Sequence, residues 1–112
     1  MTRLAARLLI DALRRRTEAE GGAATVLARG DADGGAILLA LVDRGGTERI
    51  VERLPTRAGE LAWEPVGPSH GADEARRDYL ARRRRTDPDL WIVELANLSD
   101  PLSLLAELTG AT

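Results

Sequence analysis

The segment Gly-Asp-Ala-Asp-Gly-Gly at residues 30–35 runs directly into Ala-Ile-Leu-Leu-Ala-Leu-Val at residues 36–42. The first part is rich in residues that build turns, and the second is the longest uninterrupted apolar run in the chain. Residues 37–42 are apolar on both faces of an extended strand. Because a strand that is covered on both faces belongs in the middle of a sheet, the segment predicts a turn that leads into a central strand.

Three further strands are predicted close to this one in sequence. Residues 23–29 alternate in the manner of a strand, residues 48–54 mix charged and apolar side chains, and residues 61–66 form another short strand. The segments 43–46 and 55–59 contain the Gly and Pro that are typical of tight turns. We expect these four strands to form an antiparallel meander.

Helical spacing of apolar residues predicts a first helix over residues 3–16 and a second over residues 72–85. Ser99 or Asp100 can cap a third helix that begins with a proline and ends at Gly110. The residues that we expect to be buried are Leu4, Ala5, Leu8, Leu9, Ala12 and Leu13 in the first helix, Ala72, Ala75, Tyr79 and Leu80 in the second, and Leu102, Leu105 and Leu108 in the third.

Residues 90–95 predict a fifth strand that is apolar except for Glu94, which we expect to be paired with an arginine or partly exposed. The fold class is therefore α+β, a mainly antiparallel sheet of about five strands with three helices in the order α-β-β-β-β-α-β-α, in one domain over residues 1–112. The fifth strand can add antiparallel to the first, or parallel beside the fourth by a right-handed crossover. In the first arrangement it lies near an edge that a helix or a second subunit must cover.

The turn at 30–35 resembles two ligand-binding loops, and it lacks essential residues of both. It is not followed by the Lys and Ser or Thr of a phosphate-binding loop, and an EF-hand loop that starts at Asp31 would place Ala36 and Val42 where Gly and Glu are required. Its Asp and Gly residues are typical of a turn that is built from side-chain hydrogen bonds and positive φ angles.

A four-strand meander would bring the segments 30–35, 55–59 and 86–89 to the same end of the sheet. Four aspartates would then be neighbours, and magnesium is commonly held by one or two carboxylates together with a substrate phosphate. The simpler interpretation is that arginines 82–85 pair with these aspartates. The candidate acidic residues are Asp31, Asp33, Asp87 and Asp89.

The run Arg82-Arg83-Arg84-Arg85 is the strongest charge feature of a chain whose 16 basic residues are all arginine. Consecutive residues on a helix point about 100° apart, so the four side chains ring the last turn, where the helix dipole favours cations. Their functional interpretation is RNA or phosphate binding. The formal net charge of −2 and the separation of the aromatic residues from the arginines make nucleic acid the less favoured partner.

Composition excludes several chemistries. The chain has no cysteine, which makes the cytoplasm the default location, and no apolar stretch is long enough to span a membrane. His70 is the only histidine, and the adjacent Ser69 lies outside any nucleophile elbow. We therefore predict a non-enzymatic binding or interaction domain without catalytic residue, metal or cofactor, whose partner is another protein or a second copy that contacts residues 90–95.

Two stretches together resemble a known family. Residues 21–38, which include Gly-Asp-Ala-Asp, and residues 79–95, which include Asp-Pro-Asp-Leu-Trp, follow an arginine-rich helix. This combination is similar to an uncharacterised family of small alphaproteobacterial proteins, a domain of unknown function. The resemblance spans nearly the whole chain and implies a bacterial, cytoplasmic, single-domain protein, but it supplies no catalytic residue, cofactor or substrate.

Overall fold

Three helices and five strands follow one another in the predicted order. The computed structural model describes residues 5–109, so the predictions for Arg3, Leu4 and Gly110 lie outside the described residues. The helices are α1 (Ala6–Ala19), α2 (Asp73–Thr86) and α3 (Pro101–Thr109), and the strands are β1 (Ala23–Ala28), β2 (Ile37–Asp43), β3 (Glu48–Pro55), β4 (Leu61–Val66) and β5 (Trp91–Leu98). None of the described helices is both long and apolar enough to cross a membrane.

The strands form one mixed sheet in the order β1-β5-β2-β3-β4. The expected four-strand meander is wrong, because β5 lies between β1 and β2 and only β2, β3 and β4 pair in succession. Strand β5 is antiparallel to β1, as one of the two predicted arrangements has it, and parallel to β2. The other arrangement, parallel beside β4, is wrong. Strand β2 is the middle strand, as its apolar run predicts.

The central position of β5 follows from its side chains. Trp91, Val93 and Leu95 are buried on one face and Ile92 is buried on the other, so the strand removes apolar area from water on both sides. A place at the edge of the sheet would leave part of that area exposed. Since both long edges of β5 are paired with other strands, residues 90–95 offer no free strand edge to a second subunit.

Helices α1 and α3 cover one face of the sheet. The buried stripe of α1 is Ala6, Leu9, Ile10, Leu13 and Thr17. The prediction of a buried Leu8 is wrong, since this residue is 44% exposed. In α3, Leu104 and Leu105 are buried and Leu102 is exposed, which also differs from the expected stripe.

The start of α3 is capped as predicted. The Asp100 carboxylate accepts hydrogen bonds from the Ser103 backbone N–H at 3.2 Å and from the Ser103 hydroxyl at 2.8 Å. These bonds favour the ionised carboxylate and lower the pKa of Asp100.

Helix α2 lies on the opposite face, where Tyr79 and Leu80 pack against a smaller apolar cluster that contains Leu38 and Ile92. The prediction of a buried Ala75 is wrong, and Arg76 is the buried residue of the helix. Its guanidinium donates to carboxylate oxygens of Glu48 and Asp73. A pattern of apolar residues cannot predict an arginine that is buried with its counter-ions.

Candidate interaction surface

The turn at residues 30–35 packs against the segment that precedes β5. The Asp31 backbone N–H donates to the Asp89 carbonyl oxygen at 3.0 Å, and the Trp91 indole N–H donates to the Asp31 carbonyl oxygen at 2.7 Å. The strand directions bring the β3–β4 connection to the same end of the sheet. The predicted common end is therefore confirmed, although the order of the strands is different.

The glycines of this turn serve close packing. Neither Gly30 nor Gly35 has a positive φ angle, so the expectation of left-handed backbone at these positions is wrong. A Cβ atom at either position would overlap the carbonyl oxygen of Asp89. Glycine is required because two backbone segments approach each other too closely for a side chain.

Two of the four candidate carboxylates, those of Asp31 and Asp87, stabilise their own loops. The Asp31 carboxylate accepts from the backbone N–H of Gly34 at 2.8 Å and of Asp33 at 3.3 Å, as expected of a side-chain turn. The Asp87 carboxylate accepts from the backbone N–H of Asp89 at 3.1 Å. Within residues 5–109, no group of three or more His, Asp or Glu side chains is arranged to hold a metal ion.

Arg83 joins α2 to β3. Its guanidinium donates two hydrogen bonds of 3.0 Å to the Glu52 carboxylate and one of 2.8 Å to the Tyr79 hydroxyl. The hydrogen bond to Glu52 raises the pKa of Arg83, so this side chain is a permanent cation with a fixed partner.

The other arginines of the run have different surroundings. The Arg84 guanidinium donates to the Leu90 carbonyl oxygen at 2.5 Å, and Arg82 lies over the Tyr79 ring at 5.7 Å. Arg85 is exposed. In the described part of the chain no ion pair links this run to the four candidate aspartates, so the predicted pairing between them is wrong.

Ser69 and His70 belong to the loop between β4 and α2. The His70 Nδ1 atom accepts the backbone N–H of Glu48 at 3.1 Å, and the Ser69 carbonyl oxygen accepts from the Arg76 guanidinium at 2.6 Å. Both contacts fix the loop against β3 and the start of α2.

The surface with the clearest capacity for binding is the outer edge of β1. This strand pairs only with β5, so its other edge is open in the described structure. Its sequence, Ala-Ala-Thr-Val-Leu-Ala, has no charge and no proline, and Val26 and Leu27 are 38% and 51% exposed. An uncharged edge strand with exposed apolar residues can pair with a further strand.

Strand β4, at the opposite edge, is protected. Pro65 has no backbone N–H to offer, and Glu64 adds an exposed charge. The uncharged composition of residues 23–28 is visible in the sequence. This composition indicates an open edge only when the position of β5 is known. In the expected meander, residues 23–28 would lie beside β2, and the fifth strand could cover their other edge.

These features define a small α+β protein whose described residues form a mixed five-stranded sheet with one protected edge and one open edge. Residues 4–102 match the family described as "Protein of unknown function (DUF1491)", and the chain belongs to this family. The resemblance inferred from residues 21–38 and 79–95 is thereby confirmed.

Solved structures with the same fold come from alphaproteobacteria. A crystal structure of a DUF1491 family protein from Caulobacter crescentus is 36% identical, with a TM-score of 0.78, and the match covers 87% of this chain and 91% of that one. An NMR structure of a DUF1491 family protein from C. crescentus is 34% identical, with a TM-score of 0.77 and coverage of 93% and 94%. Protein Atu0922 from A. tumefaciens is 28% identical, with a TM-score of 0.73 and coverage of 99% and 96%. A search of curated proteins found no match.

Proposed function

We propose that this protein is a non-enzymatic interaction module of the cytoplasm that assembles with a second copy of itself through β1. The observation that carries the proposal is the open, uncharged edge of β1 with its exposed Val26 and Leu27. The structural use of the Ser69–His70 loop supports the non-enzymatic part. Within the run 82–85, Arg83 binds the Glu52 carboxylate and Arg84 binds the Leu90 carbonyl oxygen. Because two of the four arginines are used in contacts within the chain, RNA or phosphate binding is not favoured as the main role of the run.

The ends of β1 favour an antiparallel arrangement of the two copies. Glu20 precedes the strand and Arg29 follows it. Antiparallel pairing brings Arg29 toward the partner's Glu20 at both ends of the interface, whereas parallel pairing brings equal charges together. The bulge between Val26 and Ala28 limits the regular ladder to residues 23–26.

The register follows from backbone geometry. When two residues face each other in an antiparallel pair, either both direct their N–H and C=O groups toward the other strand or both direct them away from it. A two-fold axis between two identical strands must therefore pass through a residue position, where a residue faces its own copy. An axis at Thr25 pairs Val26 with the partner's Ala24 and centres the contact on the regular ladder. The two Thr25 Cα atoms would then be about 4.5–5.5 Å apart, within the range that a disulfide can bridge.

Disulfide trapping tests this register, because the chain has no cysteine of its own. Thr25→Cys is expected to give a covalent dimer under mild oxidation at micromolar concentration. The matched control Thr56→Cys places the thiol on an exposed residue of the β3–β4 turn, away from the proposed interface, and is expected to give no covalent dimer.

The molar mass of the unmodified chain, measured by light scattering, tests the dimer independently of the disulfide. The expected mass is that of a dimer, and Thr25→Lys should give a folded monomer because two ammonium groups would meet at the axis. A monomer mass for the unmodified chain, together with equal cross-linking of the two cysteine variants, would overturn the proposal.

A further inference from the structure

A groove separates the start of α2 from the part of the sheet that the helix leaves uncovered. Its volume is about 320 Å³, and its apolar lining includes Leu27 of β1, Ala40 and Val42 of β2, and Leu80 of α2. This volume is at the lower end of the range, about 300–1,000 Å³, that small-molecule sites occupy. We call this space, bounded by these four residues together with Glu94 and Arg77, the α2 groove.

The helix wall of the groove is fixed. Arg76 binds Glu48 and Asp73 near the first turn of α2, and Arg83 binds Glu52 near the last turn. The ion pairs to Glu48 and Glu52 link both ends of the helix to β3 and hold α2 in place beside the groove. The groove is therefore a preformed feature of the fold.

Two charges of opposite sign at the groove have no partner in the described part of the chain. Glu94 is half-buried in the middle of β5, and its carboxylate makes no hydrogen bond or ion pair with residues 5–109. Arg77 lies on α2 three residues before Leu80, on the same side of the helix, and its guanidinium is likewise unpaired within those residues. A carboxylate at the wall of a groove without a partner in the described residues can accept hydrogen bonds from a cationic ligand.

We propose that the α2 groove binds a small zwitterion with an apolar body, an amino acid or a short peptide. Its ammonium group binds the Glu94 carboxylate, its carboxylate binds the Arg77 guanidinium, and its apolar part lies on Leu27, Val42 and Leu80. Unpaired groups of both signs select a ligand with both charges, since a simple amine or a simple acid satisfies only one of them. The apolar lining favours an aliphatic side chain.

Titration followed by NMR of the backbone amides tests the site with two zwitterions, L-leucine and leucyl-leucine, and with two single-charge probes, isoamylamine and 4-methylpentanoate. At least one zwitterion is expected to bind at millimolar concentration and to shift the amides of Ala40 and Val42, and each single-charge probe should bind at least about tenfold more weakly. Comparison of L-leucine with leucyl-leucine distinguishes a free amino acid from a peptide.

Substitutions assign the two contacts. Glu94→Gln and Arg77→Gln are each expected to weaken zwitterion binding at least about tenfold, whereas Arg85→Gln, at the other end of α2, should leave it unchanged. Repeating the titration with Val26→Lys separates this site from the proposed dimer, because this substitution adds a charge to the same edge of β1 on the face away from Glu94, and the groove lies within one chain. Absence of binding by both zwitterions, or binding that neither groove substitution weakens, would overturn the proposal.

Discussion

Arg83 and Arg85 are two residues apart in the same arginine run, and they have different roles in the fold. Arg83 holds the Glu52 carboxylate, whose side chain is only 13% exposed, and Arg85 is exposed at the end of α2. At the scale of single residues, the burial of the counter-ion therefore determines what an arginine contributes to stability.

Substitution of these two arginines makes the difference measurable. Arg83→Gln is expected to lower the free energy of unfolding by about 1–3 kcal/mol, because Glu52 loses its partner in a partly desolvated position. Arg85→Gln should change it by less than about 0.5 kcal/mol. Urea unfolding followed by circular dichroism measures both, and equal losses for the two variants would contradict this interpretation.

The sequence contains the arginine run, but it does not indicate which of these arginines forms an ion pair. Tyr79 and Arg83 are one helical turn apart and their contact can be anticipated, whereas Glu52 comes from a strand whose position opposite α2 depends on the whole topology. The candidate aspartates show the same limit. The hydrogen bond that the Asp31 carboxylate accepts from the Gly34 N–H within its own turn is local and predictable, and the contact between Asp31 and Asp89 is not.

At the scale of elements, the glycines of the turn at residues 30–35 determine how closely this connection between β1 and β2 packs on the segment before β5. Gly30 and Gly35 leave room for the Asp89 carbonyl group, while a Cβ atom at Gly34 would meet nothing closer than the Asp31 carboxylate at 3.9 Å. The three glycines look alike in the sequence, and only two of them are required for packing.

Alanine substitutions separate the two kinds of glycine. Gly30→Ala and Gly35→Ala are each expected to destabilise the fold by about 1–3 kcal/mol, because the new methyl group forces two backbone segments apart. Gly34→Ala should be tolerated. Thermal unfolding of the three variants in parallel gives the comparison, and a melting temperature for Gly34→Ala as low as those of the other two would show that close packing is not the reason for glycine here.

The boundaries of most helices and strands can be predicted from the sequence, whereas the identity of the buried residues can be predicted only in part. The periodicity of α1 predicts a helix with an apolar stripe, but the stripe turns from Leu8 toward Ile10 because the helix faces both the sheet and α3. For α3, the cap at Asp100 is a local signal and was predicted. The burial of Leu104 in place of Leu102 depends on the position of the helix over the sheet.

At the scale of the whole molecule, hydrogen exchange should reveal the order of the strands. The backbone of β5 is paired on both sides, so its amides are expected to exchange only when the whole domain unfolds, whereas amides of the edge strand β4 exchange through smaller openings. Exchange measured by NMR on the Thr25→Lys variant tests this without a contribution from the proposed dimer. Equal protection of β4 and β5 would contradict the inferred hierarchy.

The topology was the least predictable property, for a physical reason. Residues 23–28 and 37–43 are close in sequence and favour pairing with each other, and no local signal shows that a strand from residues 91–98 separates them. What decides the arrangement is the apolar area on both faces of β5, which is fully buried only inside the sheet. The number and order of the elements follow from local patterns, whereas the neighbours of each strand follow from this global requirement.

The insertion of β5 has a consequence for how the protein is made. Among residues 5–109, β5 is the seventh of eight elements in chain order, and it provides the only partner of β1 in the described sheet. During synthesis, β1 is therefore unpaired until residues 91–98 have left the ribosome. Such a nascent chain depends on late, long-range strand pairing, which is intrinsically slow, and during that delay the bare strand is open to the chaperones and the neighbouring nascent chains around it.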